Sequence, residues 1–495
     1  MFKRPALLVL LLISMGSSCD ARFVFNERCI SAYDKILSLR LQEGQALLNA
    51  EKKANPTNSI PILLENYIDF LHLLTSERKD EFEKFKVSKN ARIDKLQSED
   101  QKSPYYLYCQ AEINLQSCIN RFKFQEYVSG VYELQKAYKQ LEENRKKFPD
   151  FLPNQKSFAL LYSLLGLVPD QYKWALSTIG LKGNIQQGMN MLDELRIRLP
   201  QSPYAQFTNE TIFFLSFIQM SVENQDHLYE TVIRNTNPIG NEHLMNVYIR
   251  TLVAMRTGHT DEAIDFLEDR PKSAAYASFY YLDYLMGLAK LSRFDDDANQ
   301  HFELYLKNYT GCFNIKDSYL KLAWYYLLRG NTERYNAYIG LCKVRGYTYS
   351  EREKDAYNQS MIKSPPDIHL LKARLYFDGG YQEKALAAIK GMKLDDFGNE
   401  RERLEYLYRL GRIYQAMNRP DMAIQYYTSA ISRGLELPYY YSANSSLQLG
   451  YIFENKKNYN KARYYFDLCP KMKNEEYKNS IDSKAKAGLR RIPGE

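Results

Sequence analysis

The last third of the chain repeats itself at a fixed interval. Leu410, Gly411, Tyr414, Ala423, Tyr427 and Ala430 recur thirty-nine residues on as Leu449, Gly450, Phe453, Ala462, Phe466 and Cys469. Thirty-eight residues back stand Ala373, Tyr376, Ala385, Ile389 and Met392. Each copy holds two small residues twelve apart: Ala373 and Ala385, Gly411 and Ala423, Gly450 and Ala462. The apolar positions between them are spaced by three and four, the period of a helix face. A small residue on each of two helices lets their backbones approach, and the aromatic residues fill the space around the contact. One such pair cannot bury its own apolar face, so it must stack on neighbours. The chain has 495 residues, and single cores stop growing at about 250–300 residues. A stacked array satisfies both constraints, and a single sheet-centred core satisfies neither.

Looser copies lie upstream. Thr251 and Ala263 keep the interval, with Leu267 and a closing Pro271, and Gly287 and Ala298 shorten it by one, with Phe302 and Tyr305 following. Ala323, Tyr326, Ile339 and Cys342 keep the outline, but bulky Tyr335 stands where a small residue is expected. Gly188, before Met191 and Leu192, fits the same place in an earlier unit. Apolar spacing of three and four also runs through residues 29–48, 62–74 and 122–141, and Asn55-Pro56, Phe148-Pro149, Leu199-Pro200 and Asn237-Pro238 punctuate between helices. No sustained two-residue alternation marks a strand.

The pattern of Leu-Gly, Tyr, Ala, aromatic and Ala around Gly411 and Gly450 resembles the tetratricopeptide repeat. That resemblance implies an all-α fold, a right-handed α-solenoid of helix pairs with an N-terminal helical region. The expected divisions are a signal peptide at 1–18, an N-terminal helical region at 22–150, degenerate helix pairs at 151–270 and 271–360, clear repeats at 361–475 and a C-terminal helix or tail at 476–495. A second resemblance covers about fifty residues. Leu152-Pro153, Gly166-Leu167-Val168-Pro169 and Ile179-Gly180-Leu181-Lys182-Gly183-Asn184, with Gly188 and Met189, are similar to a turn and helix of the eukaryotic tetratricopeptide-repeat-39 and inclusion-body-clearance family. It implies that these helices belong to the same solenoid.

The N-terminus reads as an address. Lys3 and Arg4 precede an apolar run from Ala6 to Ile13, too short to cross about 30 Å of hydrocarbon and suited to a secretory signal. Gly16-Ser17-Ser18-Cys19 resembles a bacterial (Bacteroidota-like) lipobox, which implies a lipid anchor on Cys19; Gly16 stands where Leu is usual. Cleavage after Ala21 is the other reading. The expected location is the bacterial cell envelope, lipid-anchored, facing the periplasm from the outer membrane, or soluble in the periplasm. The longest later apolar run, residues 211–220, reads as a buried helix. The remaining cysteines, Cys29, Cys109, Cys118, Cys312, Cys342 and Cys469, are even in number and permit disulfides, but buried thiols between helices are the expected reading.

Catalytic and metal motifs are missing. The six histidines make no His-x-x-x-His, no Cys-x-x-Cys exists, and neither a phosphate loop nor a nucleophile elbow is present. His259 reads as a solvated turn residue, and Asp295-Asp296-Asp297 as acids at a helix start. No metal, no cofactor and no catalysis are expected. The net charge of +8 comes from 67 basic and 59 acidic residues mixed along the chain, which is no nucleic-acid footprint. Tyrosine is the unusual resource, with 42 residues, and its amphipathic ring makes a good contact surface.

The tetratricopeptide resemblance implies which positions face the inner wall of the superhelix. They are Leu370, Arg374 and Phe377, then Tyr408, Arg412 and Gln415, then Leu447, Tyr451 and Asn455. Such a wall suits an extended peptide or a helix of another protein. The chain is therefore expected to be a non-catalytic scaffold for protein or peptide partners, with occupation of the groove by its own N-terminal helices as the competing arrangement. The other function is a glycan- or nutrient-binding outer-membrane lipoprotein of the SusD-like kind. Those proteins resemble this chain in size, anchor and helices, but form their site from long loops often bearing Trp; here only Trp174 and Trp324 occur.

Overall fold

The structure, a computed structural model, describes residues 22–168, 184–221 and 227–493. Cys19, the apolar run before it, Trp174 and the turn at Gly180–Gly183 lie outside the described residues. Among the described residues there are twenty-four α-helices, a few short 3-10 turns and no strand. The N-terminal helices are α1 (Glu27–Leu37), α2 (Leu41–Ala54), α3 (Ile60–Ser76), α4 (Lys79–Gln97), α5 (Pro104–Lys123) and α6 (Tyr127–Lys147). Next come α7 (Pro153–Leu167), α8 (Ile185–Arg198), α9 (Thr208–Ser221), α10 (Leu228–Thr236), α11 (Leu244–Arg256) and α12 (Thr260–Glu268). The middle holds α13 (Tyr281–Arg293), α14 (Ala298–Asn308), α15 (Ile315–Leu328), α16 (Thr332–Val344) and the single helix α17 (Glu351–Ser360). The last units are α18 (Ile368–Asp378), α19 (Gln382–Ile389), α20 (Glu400–Ala416), α21 (Pro420–Gly434), α22 (Tyr440–Asn455), α23 (Tyr459–Leu468) and α24 (Lys478–Arg491). None of these described helices is long and apolar enough to cross a membrane.

The helices pack as consecutive pairs, and the first helix of one pair packs on the first helix of the next, as α18 does on α20 and α20 on α22. This is an all-α, tetratricopeptide-like solenoid. Asp367, Asn399 and Asn458 cap α18, α20 and α23 by accepting bonds from free backbone N–H groups of the first turn. The small residues sit where the sequence demands close approach. A Cβ on Gly411 would lie 2.5 Å from the Tyr427 ring, and one on Gly450 would lie 2.3 Å from Phe466. Ala373, Ala385, Ala423 and Ala462 are fully buried. Tyr335, the bulky exception, is buried as well.

One turn joins most of these pairs. Its N–H reaches back five residues: Arg419 to Tyr414 O at 2.8 Å, Asn458 to Phe453 O at 2.9 Å, Tyr381 to Tyr376 O at 2.8 Å. The same bond closes at His259, Asp295 and Asn331. Each time the preceding residue is left-handed: Asn418, Lys457, Gly380, Gly258, Phe294 and Gly330. This is the bond pattern of a helix end closed by a left-handed residue. It recurs in the N-terminal region, at Leu39 with Arg40 bonded to Lys35 O, and at Gln125 with Glu126 bonded to Arg121 O. There the interval of twelve is present too, as Ala32 with Gly44 and Cys118 with Gly130. The first pairs are therefore repeats of the same kind.

The array does not stay open. Three N-terminal turns dock on three successive loops of the middle. Leu39 O accepts from Ala277 N at 2.8 Å, and Glu77 O accepts from Cys312 N at 3.2 Å. The Gln125 amide donates to Tyr349 O. Tyr309 donates to the Glu77 carboxylate, which also holds Lys123 at 2.5 Å. Further on, Gly258 and Gly380, both left-handed, press two turns together so closely that a Cβ on Gly380 would overlap the Gly258 backbone. The six described cysteines are buried and unpaired.

Candidate functional site

The first helices of the later units build one polar and aromatic wall. Tyr284 on α13 donates to Asp317 on α15 at 2.6 Å, and the Arg352 guanidinium donates to Tyr284 Oη at 2.7 Å. Lys321, one turn beyond Asp317, pairs with it at 3.2 Å and lies 3.9 Å over the Trp324 ring. Burial works against the Asp317 charge, but Lys321 and Arg352 hold its carboxyl below the usual carboxylate range. Arg374 on α18 covers the same Trp324 at 4.8 Å, and its carboxylate neighbours Asp355 and Asp378 stand 3.9 Å away. On α20, Arg409 binds Glu405 at 2.8 Å, and Tyr441 donates to that carboxylate at 2.8 Å. Burial opposes the Glu405 charge too, and Arg409 and Arg374 outweigh it, so its carboxyl stays low. Arg412 donates to Tyr408 Oη at 2.9 Å and lies 4.9 Å from the Phe377 ring. Tyr440 and Tyr477 close the row with rings 5.1 Å apart.

The residues expected on this wall divide. Arg374, Phe377 and Arg412 stand on it, half-buried, with Arg412 over Phe377. Gln415 is half-buried, but its Oε1 accepts from Tyr427 at 2.6 Å and is used inside its own repeat. Four expectations fail because packing covers them. Leu370 and Leu447 are core residues. Tyr408 is buried, and its hydroxyl is held by Arg412 and Asn444. Tyr451 is buried with its ring on Phe466, and Arg491 of α24 lies 5.6 Å over it. Asn455 is exposed at the end of α22, beyond the row. Two further readings need correction. His259 does not stand free, because its ring stacks on Tyr229 at 3.7 Å and takes a hydroxyl contact from Thr257 at 2.9 Å. Asp297 makes no cap bond to the start of α14; the three acids instead hold Arg293, Arg329 and Lys290.

The expected pattern omitted Lys321, Arg352, Arg409 and Asn444. A signal for Arg409 and Asn444 existed: the wall takes a stripe at i, i+3, i+4 and i+7 (405, 408, 409 and 412 on α20), wider than the three positions considered. Arg352 carried none, since α17 stands outside the repeat pattern.

A cavity of about 1570 Å³ is lined by residues of α3, α9 and α11 and by residues of α17 and α24. Part of its lining is aromatic, with Tyr67, Phe70, Phe213, Phe214, Phe217 and Tyr248, and part is polar, around Tyr349, Lys354 and Asp482.

Residues 404–433, the pair α20 and α21, match the tetratricopeptide repeat model. No curated protein matches the chain. Among solved structures, a human IFIT1 dimer with PPP-AAAA is 14% identical with a TM-score of 0.31, over 94% of this chain and 95% of that one.

Proposed function

We propose that the protein is a non-catalytic scaffold that holds a protein or peptide partner against the wall of α18, α20 and α22. The observation that supports it most is the pair Arg374 and Arg412. Each guanidinium lies over an aromatic ring, and neither has a carboxylate within ordinary hydrogen-bond distance. A guanidinium in that state is ready to take a carboxylate or backbone carbonyl of a bound chain, while the ring beside it packs on that chain's side chains. Asn444 and Tyr440 extend the surface along the row. The tetratricopeptide match at 404–433 falls on the unit that carries Arg412, and such repeats commonly mediate protein contacts.

The signal-like N-terminus supports a place in a bacterial envelope, with Cys19 as the site of a lipid anchor. Two measurements test the proposal. Palmitate labelling of wild type and Cys19→Ser decides the anchor, since equal labelling removes it. Cross-linking and co-purification from detergent-solubilised membranes, with wild type and an Arg374→Glu/Arg412→Glu variant of unchanged helicity, decides the wall. Partners are expected with the wild type and lost with the variant; the same partners on both would place the binding surface elsewhere.

A further inference from the structure

Helix α17 is held to the array by very little. It follows the pair α15 and α16 and has no second helix of its own. It packs chiefly on those two helices. Three of its ten residues are buried, Glu353, Ala356 and Ser360, while Tyr357 is exposed. The connections on either side, residues 343–348 and 361–365, are exposed as well. One acid is therefore among the three groups that seat the helix. Yet α17 brings two charged groups to the wall. Arg352 donates to Tyr284 Oη at 2.7 Å, and Asp355 stands 3.9 Å from Arg374. Glu353 itself is fully buried, and its Oε1 has no partner. Ser350 donates to the other oxygen at 3.3 Å. Among the described residues no cation answers this acid. On α15, Lys316 donates to Cys342 O and Lys343 O, Lys321 pairs with Asp317, and Asp317 repels a charge on Glu353. Burial pushes the Cys342 thiol on α16 and the Cys312 thiol before α15 up, so neither supplies a charge near pH 7. On α17, Arg352 is spent on Tyr284, and Lys354 pairs with Glu351 at 2.8 Å. Burial, the largest influence, and Asp317 hold the Glu353 proton against the Ser350 hydroxyl and the backbone at Ser350 and Ile315.

We infer that α17 is a pH-sensitive latch on the wall, seated while Glu353 is protonated and released, with Arg352 and Asp355, once Glu353 is ionised. A buried carboxylate without a cation costs more than a buried carboxylic acid. In the released helix the same carboxyl meets water and ionises at its ordinary value. Seating raises that value from 4.5 to about 7. Release is therefore rarest below pH 4.5, grows up to about pH 7 and levels off above it. Segments with few buried contacts are the ones that open locally, and α17 is such a segment. The effect on a bound partner rests on the wall reading proposed above; the release of α17 does not.

The test is hydrogen exchange of the full chain without denaturant, read by mass spectrometry across this pH range and corrected for intrinsic exchange. Protection of residues 355–360 is expected to fall about 300-fold between pH 4.5 and about 7 and then level off. The helices α15 and α16 should change far less. Glu353→Gln should remove the fall. If that variant fails to fold by circular dichroism, Ser350→Ala decides. It deletes a hydroxyl that favours the charge, so the levelling-off should move above about pH 7. A wild-type profile in the deciding variant, equal losses in α15 and α16, or protection that ignores pH would overturn the latch. The readout is α17 itself, so that failure leaves partner binding at the wall to the cross-linking experiment above.

Discussion

Glu353 shows how one buried acid ties stability to pH. It opens α17 with Ser350, which accepts from its N–H at 3.3 Å and donates to one carboxylate oxygen. The other oxygen is buried without a partner. Burial pushes its pKa from 4.5 up to about 7 against the weaker pull of the Ser350 bonds. The folded chain thus holds this proton more tightly than the unfolded chain. The stabilisation is complete below pH 4.5 and is lost as pH rises through about 7. Its full size is about 3 kcal/mol. Glu353→Gln carries no such charge, so the variant should gain about 3 kcal/mol on wild type between pH 4 and pH 8. Urea midpoints at the two pH values check this, and a constant gap would contradict it. Glycines offer a second residue-scale contrast. The Phe466 ring is pressed between Gly450 and Gly488, so it cannot move aside for a methyl group on either. Gly450→Ala should cost about 1–3 kcal/mol, and part should return when Phe466→Leu is added. Gly330 has nothing within 4 Å of an added Cβ, but its φ is +74°. Gly330→Ala should therefore cost only the left-handed strain, about 1 kcal/mol. Equal losses at both glycines, measured by chemical unfolding, would mean that crowding is not the reason for Gly450.

At the scale of the element, the repeat is a pair of helices with one turn between them, and the turn is better kept than the residues that make it. The left-handed position is Gly at 258, 330 and 380, but Phe294, Gln125, Leu39, Asn418 and Lys457 elsewhere. A non-glycine residue there costs about 1–2 kcal/mol, which burial of the paired faces offsets. That substitution hides the N-terminal repeats from a reading based on glycine. The interval of twelve in Ala32/Gly44 and Cys118/Gly130 was legible, but the flanking aromatic positions do not follow the later units, and the eye needs both. The wall was half legible for the same reason. Arg374 and Arg412 follow from repeat position, because the first helix of each pair repeats its orientation. Tyr408 and Tyr451 occupy inward positions as well, yet the neighbours Asn444 and Arg491 close over them.

At the scale of the molecule, closure changes how the array should unfold. An open solenoid is coupled only between nearest neighbours. Here the largest apolar cluster runs from Phe23 to Leu375 and joins helices far apart in sequence. Two of the three smaller clusters between Ala111 and Val253 share flanking residues such as Ile119, Phe213 and Tyr248 with it, whereas the clusters around Leu404–Ile492 and Leu370–Ala430 share none of these. The turns at Leu39, Glu77 and Gln125 bridge to loops more than two hundred residues away. Urea unfolding followed by hydrogen exchange should therefore show two stages. The units after residue 400 lose protection first, by fraying from α24, and residues 22–375 then open together. Gradual loss from both ends would show that the bridging contacts contribute little.

The interval between small residues was enough to determine helix pairs, their stacking and the class of the fold, because close backbone approach is a local demand that only Gly, Ala and their like satisfy. Closure of the array, the cavity within it and the meeting of Lys156, Glu112 and Glu210 were decided by tertiary structure alone. Those groups lie up to ninety-eight residues apart in sequence, and the interactions that join them depend on burial and distance, which no local pattern records.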